Sequence, residues 1–125
     1  MEENWHSIIF ETNAMENMMG IEVKVPSESP WFMGHFPNNP IVPGVALIAF
    51  VIDAVKYYEK KRGNQIRISG VKRVRFRKAI RPDDSISISI SPEHKKQNLS
   101  YAFTVLCKGG MACSGIVSAE QLSHL

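Results

Sequence analysis

His35 is the side chain in this sequence whose setting best suits chemistry. It lies in the segment GHFPNNPIVPG, residues 34–44, which has prolines at positions 37, 40 and 43. Because each proline fixes its own backbone dihedral φ, the segment that carries the imidazole is stiff. A histidine held in one position is what general-base chemistry near neutral pH requires. The plainer interpretation is a histidine that only satisfies hydrogen bonds within its loop.

Gly44 is the second candidate, because Pro43 before it suits the first turn of a helix. The N–H groups at a helix start have no partner within the helix, and the helix dipole favours negative charge there. Since Gly44 has no side chain, a ligand carbonyl that gains negative charge can approach its amide. The alternative is that proline and glycine only form the turn into the helix.

One long buried helix and several strands must position these residues. The run VALIAFVIDAVKYYEKKRG predicts a helix that ends at Gly63, with Lys60, Lys61 and Arg62 in its last turn. Period-two alternation and turn residues then predict strands at Ile21–Val25, Ile66–Phe76, Ser85–Ile90, Leu99–Cys107 and Met111–Val117. The predicted separators are Arg81–Asp84, Glu93–Asn98 and Gly109–Gly110. This order predicts an α+β fold with an antiparallel sheet wrapped on the helix.

The composition is that of one ordinary globular domain over residues 1–125, with 44% hydrophobic residues and a net charge of +3. Cys107 and Cys113 are too few for a disulfide framework, and we expect two buried reduced thiols. The acidic N-terminus does not resemble a signal peptide, and no apolar run is long enough to span a bilayer, so we expect a cytoplasmic protein. No cluster of metal ligands occurs and no cofactor is expected.

The motif HFPNNPIVPGV, together with the later stretch Val74–Asp84, resembles the beta-hydroxyacyl-acyl carrier protein dehydratases. The similarity covers roughly residues 21–117. It implies a hotdog fold, a homodimer or trimer of dimers, and an acyl-thioester site at the dimer interface. His35 would remove the α-proton of a 3-hydroxyacyl thioester. Substrate contacts would involve Phe36, Pro43, Gly44, Val45 and Ala49.

The sequence departs from that family at Ala49, where the family carries the Asp or Glu that handles the departing hydroxyl in the partner's site. Asp53 lies one helical turn later, and Ala46 and Ala49 leave room for it to reach the site directly or through water. The alternative is that Asp53 pairs with Lys56 or Tyr57. The other carboxylates fall at positions predicted to be exposed: Glu59, Asp83, Asp84 and Glu93.

Basic residues follow the helix along one predicted strand and its turn. Alternation predicts that Arg73, Arg75 and Arg77 share one face, opposite Val74 and Phe76. With Lys78 they form a candidate docking patch for an acidic acyl carrier protein; a solvated sheet face is the alternative. Nucleic acid is disfavoured because no stacking aromatic residues accompany the arginines.

Three hypotheses follow. The first is a dehydratase in which His35 is the base and Asp53 or water replaces the lost acid. The second is a non-catalytic acyl-thioester binding subunit, or half of a heteromeric enzyme with a paralogue that carries the carboxylate. The third is a thioesterase on the same fold. The carrier, either acyl carrier protein or coenzyme A, stays open, as do fatty acid, polyketide and polyene synthesis.

Overall fold

The computed structural model describes residues 7–12, 19–26, 41–95 and 98–122 of the chain. His35 and Phe36 lie outside these ranges, so their predicted roles stay predictions. Within the described residues there are one helix, α1, and six strands, β1 to β6. No helix among the described residues is long and apolar enough to cross a membrane.

Helix α1 spans Gly44–Lys61, and Pro43 is its N-cap residue. It ends at basic residues Lys60 and Lys61, and Gly63 follows with φ +78°. Basic groups favour the negative end of the helix dipole, and glycine readily adopts positive φ, so both predicted ends are confirmed. The buried side of the helix faces the sheet and comprises Ala46, Leu47, Phe50, Val51, Ala54, Val55 and Glu59.

The strands form one antiparallel sheet in the order β1-β2-β4-β5-β6-β3. Their bounds are Ser7–Thr12, Met19–Lys24, Ile66–Phe76, Ser85–Lys95, Asn98–Cys107 and Gly110–Gln121. The predicted α+β arrangement is therefore confirmed. Alternation also sets the core as expected: the isoleucines of SISISI are buried and the serines between them lie on the other face.

The predicted separator Glu93–Asn98 is wrong, because β4 continues to Lys95 and β5 begins at Asn98. Pro92 lies within the extended β4, although proline lacks the N–H that a central strand needs. Strand β2 pairs with β4 only as far as Ile90, whereas β5 pairs along its whole length. Among the described residues, Pro92 has a ladder partner only on the β5 side, and that ladder continues past it.

Strand β3 is an edge of the sheet and is irregular. Its pairing with β6 shifts register between Ile68 and Gly70 and again between Lys72 and Arg75. Arg73 has φ +56°, a left-handed conformation inside the second irregularity. The two shifts interrupt the period-two alternation on which the prediction for this strand rested.

Candidate active site

The chain that leads into α1 is anchored to the segment that follows β3. The N–H of Val42 donates to the carbonyl of Ile80 at 2.7 Å. The carbonyl of Pro43 accepts from the N–H groups of Ala46 and Leu47 at 2.9 and 3.3 Å. No side chain caps the helix start. The first amides of α1 are thereby held at a fixed place, as a site for developing negative charge requires.

A cleft of about 430 Å³ opens beside this helix start. It lies between the chain entering α1 and the chain leaving β3. Its lining consists of Ile41, Val42, Gly44, Leu47, Phe76, Arg77, Lys78 and Ala79. The lining is apolar at the helix and basic at the other wall, a combination that suits an acyl chain attached to an anionic carrier.

Gly44 has a structural reason to lack a side chain. A Cβ built on Gly44 would lie 2.7 and 2.9 Å from two ring carbons of Phe76. The Phe76 ring therefore occupies the space above Gly44 through which a ligand was predicted to approach. Because Phe76 is 56% exposed, its ring can rotate without disturbing the core. Both interpretations of Gly44, turn former and ligand contact, remain compatible with this geometry.

The outward side of α1 carries the residues predicted to complete the site. Val45 is 70% exposed, Ala49 is half-buried and Asp53 is exposed. Asp53 makes no ion pair with a described residue, so the predicted pair with Lys56 is not found. Ala46, in contrast, is fully buried in the core. Neither Ala49 nor Asp53 lines the cleft of this chain.

The structure divides the predicted basic patch into two parts. Arg77 and Lys78 line the cleft. The backbone N–H groups of both residues donate to the carbonyl of Ala112, at 2.8 and 3.3 Å. The ammonium of Lys78 also donates to the carbonyl of Cys107 at 3.1 Å. Arg73 and Arg75 are exposed on the β3 edge and do not line the cleft. Arg73, Arg75 and Arg77 are all exposed and Val74 is half-buried, but β3 ends at Phe76, before Arg77. The docking role of these residues stays a prediction.

Glu59 was predicted to be exposed and is instead 1% exposed. Its carboxylate accepts hydrogen bonds from the hydroxyl of Tyr101 and, at 3.0 Å, from the side-chain amide of Asn64. Burial and the neighbouring carboxylate raise the pKa of Tyr101 far above its usual value. The signal was available in the sequence: Glu59 continues the buried stripe from Val51 and Val55 at four-residue spacing.

Asp84 was also predicted to be exposed but is only 14% exposed. Burial favours its neutral form, but the N–H of Arg81 and the charge of Lys108 outweigh that effect and lower its pKa. The thiol of Cys107 contacts Asp84 at 3.7 Å. Burial and this carboxylate raise the Cys107 pKa. Both cysteines are free and buried, as predicted.

The comparisons with known proteins agree with this fold. The family model described as ApeI-like, ApeI dehydratase, matches residues 11–116. The chain belongs to the ApeI-like dehydratase family. The prediction of a dehydratase-like hotdog protein is thereby confirmed at the level of family and fold.

Curated relatives of this ApeI-like chain include 3-hydroxyacyl-[acyl-carrier-protein] dehydratases named FabZ. The one from Caldanaerobacter subterraneus subsp. tengcongensis is 33% identical over 95 residues, which cover 73% of this chain and 67% of the relative. The one from Caldicellulosiruptor saccharolyticus is 30% identical over 112 residues, covering 86% and 79%. The chain thus spans about two thirds or more of the length of these two relatives.

Solved structures share the fold of the ApeI-like chain at low identity. The dehydratase heterocomplex ApeI:P from Xenorhabdus doucetiae matches with a TM-score of 0.69 and 22% identity, covering 86% of this chain and 90% of that chain. The PaaI protein of E. coli matches with a TM-score of 0.75 and 14% identity, covering 93% and 80%. At these identities the likeness establishes the hotdog fold alone.

Proposed function

We propose that this chain dehydrates 3-hydroxyacyl thioesters, with His35 as the general base. The observation that carries the proposal is the cleft at the start of α1, which is lined by Ile41 and Val42 from the same motif as His35. The acyl chain would lie against Leu47 and Phe76. The thioester carbonyl would face the first amides of α1, where the helix dipole favours the enolate.

The reaction divides into two proton movements. His35 takes the α-proton, and the electron pair forms the carbon–carbon double bond as the β-carbon–oxygen bond breaks. The departing hydroxyl needs a proton, so that water is released. Because Ala49 cannot supply it, Asp53 or a solvent molecule has that role in this proposal. The absence of a positioned acid typically costs about 10²–10⁴-fold in rate.

Carrier docking is part of the proposal. Arg77 and Lys78 line the cleft and would meet the acidic surface of an acyl carrier protein at the place where the thioester enters. Arg73 and Arg75 would add long-range attraction, which speeds encounter more than it tightens binding. No cofactor takes part.

A second candidate is one half of a heteromeric dehydratase. Two observations favour it: Ala49 has no carboxylate, and Asp53 is exposed and does not line the cleft of its own chain. A paralogue with a carboxylate at the position of Ala49 would then complete the site. The solved ApeI:P of Xenorhabdus doucetiae, which shares this fold, is a dehydratase heterocomplex. Thioesterase activity stays a prediction, tested by release of free thiol from acyl-coenzyme A.

The deciding experiment measures hydration of a short 2-enoyl thioester by the purified protein and by four variants. We expect His35→Ala to lose at least about 10²-fold in rate, and Ala49→Glu to gain about 10²–10⁴-fold by restoring the acid. His94→Ala and Lys56→Glu are the matched controls and should leave the rate unchanged. Full activity of His35→Ala would refute the proposed base. A folded protein that is inactive in every variant, Ala49→Glu included, would favour the heteromeric candidate.

A further inference from the structure

The aromatic ring of Phe76 covers the start of α1. A Cβ built on Gly44 would lie 2.7, 2.9 and 3.3 Å from the Cζ, Cε1 and Cε2 atoms of that ring. These three atoms form the far end of the side chain, so Phe76 reaches Gly44 only through the outer part of its ring. Both residues line the cleft of about 430 Å³. The ring therefore fills the part of the cleft that lies next to the helix start.

Few contacts hold the Phe76 ring in this position. Phe76 is 56% exposed, whereas Phe103 in the core is 2% exposed. Among the described residues, no aromatic ring and no cation stacks on Phe76. Exposed side chains change rotamer on a timescale of picoseconds to nanoseconds. The ring can therefore leave Gly44 much faster than an enzyme turns over its substrate.

The backbone around Phe76 is fixed, so only the side chain is free to move. Phe76 pairs with Cys113 of β6 at the end of β3. The next two N–H groups, those of Arg77 and Lys78, both donate to the carbonyl of Ala112. Staggered rotamers give the side chain a small number of discrete positions. Because more than half of the residue is already exposed, a change of rotamer carries the ring from the helix start towards solvent.

We propose that Phe76 is a gate residue, whose ring covers Gly44 until an acyl thioester binds and then turns towards solvent. The inference rests on the proposed function, which places the thioester carbonyl at the first amides of α1. Covering Gly44 hides apolar surface from water, and a bound acyl chain hides the same surface in place of the ring. The gate therefore acts on affinity. A ring that covers Gly44 in about half to nine tenths of the molecules weakens thioester binding about two- to tenfold.

The variant Phe76→Leu separates a gate from a simple wall of the cleft. Leucine keeps an apolar side chain in the lining but lacks the outer ring atoms that reach Gly44. Chemical-shift titration with hexanoyl-pantetheine measures binding without turnover, because this saturated thioester can be neither dehydrated nor hydrated. We expect the variant to bind the probe about two- to tenfold more tightly than the unmodified chain. Unchanged or weaker binding would overturn the inference, because a residue that only lines the cleft loses contact when it is shortened.

Two control variants belong to the same titration. Ile41→Val removes one CH₂ group from the cleft lining and leaves Phe76 in place, so it should weaken binding by up to about fourfold. Met111→Leu changes an exposed apolar side chain outside the cleft and should leave binding unchanged. Tighter binding is thus expected for the Phe76 variant alone, and tighter binding by either control would also overturn the inference.

Nuclear Overhauser contacts report the position of the ring directly in the unmodified chain. We expect a contact between the Phe76 ring protons and the Gly44 Hα protons, and we expect it to disappear as hexanoyl-pantetheine shifts the methyl signals of Leu47 in the cleft. A contact that is missing in the free chain, or that persists in the bound chain, would overturn the gate and leave the proposed dehydratase intact.

The remaining outcomes distinguish the gate from the proposed function. Absence of any shift at Leu47 would overturn the thioester site and the gate with it. Loss of the contact in a chain that binds the probe but does not hydrate 2-enoyl thioesters would support the gate and refute the dehydratase.

Discussion

At both Gly44 and Gly115 an added Cβ would lie too close to an aromatic ring, but the two rings differ in their freedom to move. A Cβ on Gly115 would lie 2.7 and 2.8 Å from ring carbons of Phe103, which is 2% exposed. A Cβ on Gly44 would lie equally close to Phe76, which is 56% exposed. A ring held in a close-packed core has no free space to move into, whereas an exposed ring has.

We therefore expect Gly115→Ala to lower the free energy of unfolding by about 1–3 kcal/mol, as overpacking a core does. Gly44→Ala is the control and should cost less, because Phe76 can rotate towards solvent. Urea unfolding of both variants measures the difference. Equal losses would contradict the view that neighbour mobility decides the cost.

The reactivity of the two cysteine thiols also depends on single neighbouring groups. Burial raises the pKa of Cys113, and burial together with Asp84 raises that of Cys107. A thiol with a raised pKa has little thiolate at neutral pH, and the thiolate is the reactive form. Neither cysteine is therefore suited to act as a nucleophile.

At the scale of elements, the C-terminal end of α1 is joined to the middle of the sheet through Glu59. The carboxylate meets Tyr101 of β5 and Asn64 of the following turn, and Arg62 lies 3.8 Å from it. The ring of Tyr58 adds an edge contact to Tyr101, with centroids 6.5 Å apart. A buried carboxylate is costly unless its oxygens are hydrogen-bonded, so these donors are what make Glu59 acceptable in the core.

Tyr101→Phe should lower the free energy of unfolding by about 1–3 kcal/mol, because the variant keeps the ring but removes one donor from a buried carboxylate. Tyr58→Phe is the matched control. It keeps the same aromatic contact, and we expect a change within about 0.5 kcal/mol. Chemical denaturation of the two variants measures both effects. A Tyr101→Phe variant as stable as the parent chain would show that the hydroxyl is not needed.

At the scale of the whole molecule, the turn at Arg81–Asp84 connects distant parts of the chain. The N–H of Asp83 donates to the carbonyl of Val25 at the end of β2. The carboxylate of Asp84 accepts from the N–H of Arg81 at 2.9 Å and lies 3.5 Å from the ammonium of Lys108. The ionised carboxylate of Asp84 thus helps to hold the turn against the β5–β6 hairpin, and the N–H of Asp83 ties the same turn to the end of β2.

This arrangement predicts how stability depends on pH. Because folding lowers the Asp84 pKa, its contribution is present above the unfolded pKa of about 3.9 and is lost as the pH falls through the folded pKa. Asp84→Asn should therefore be less stable than the parent chain at neutral pH. The difference should shrink in acid, where both side chains are uncharged. Urea unfolding between about pH 2 and pH 7 tests this, and a difference that does not change with pH would contradict it.

The sequence by itself determined the local features of this protein. The bounds of α1 follow from Pro43, the basic last turn and Gly63, and β3 follows from its composition with the predicted limits. The motif around His35 indicated the family that the comparisons establish. These signals predict local structure correctly because capping, periodicity and turn chemistry act between residues that are close along the chain.

Only the tertiary structure decided which distant residues meet. It buried Glu59 beneath Tyr101, which is 42 residues away, and it set Phe76 over Gly44. It also brought Arg77 and Lys78 to the cleft and left Arg73 and Arg75 on β3, because β3 ends at Phe76 and the chain beyond it packs beside the start of α1. Two register shifts in β3 also move its half-buried positions out of strict alternation, from Ile66 and Ile68 to Val71 and Val74. A single register shift changes which face a side chain occupies, and it depends on pairing with β6, which local sequence does not specify.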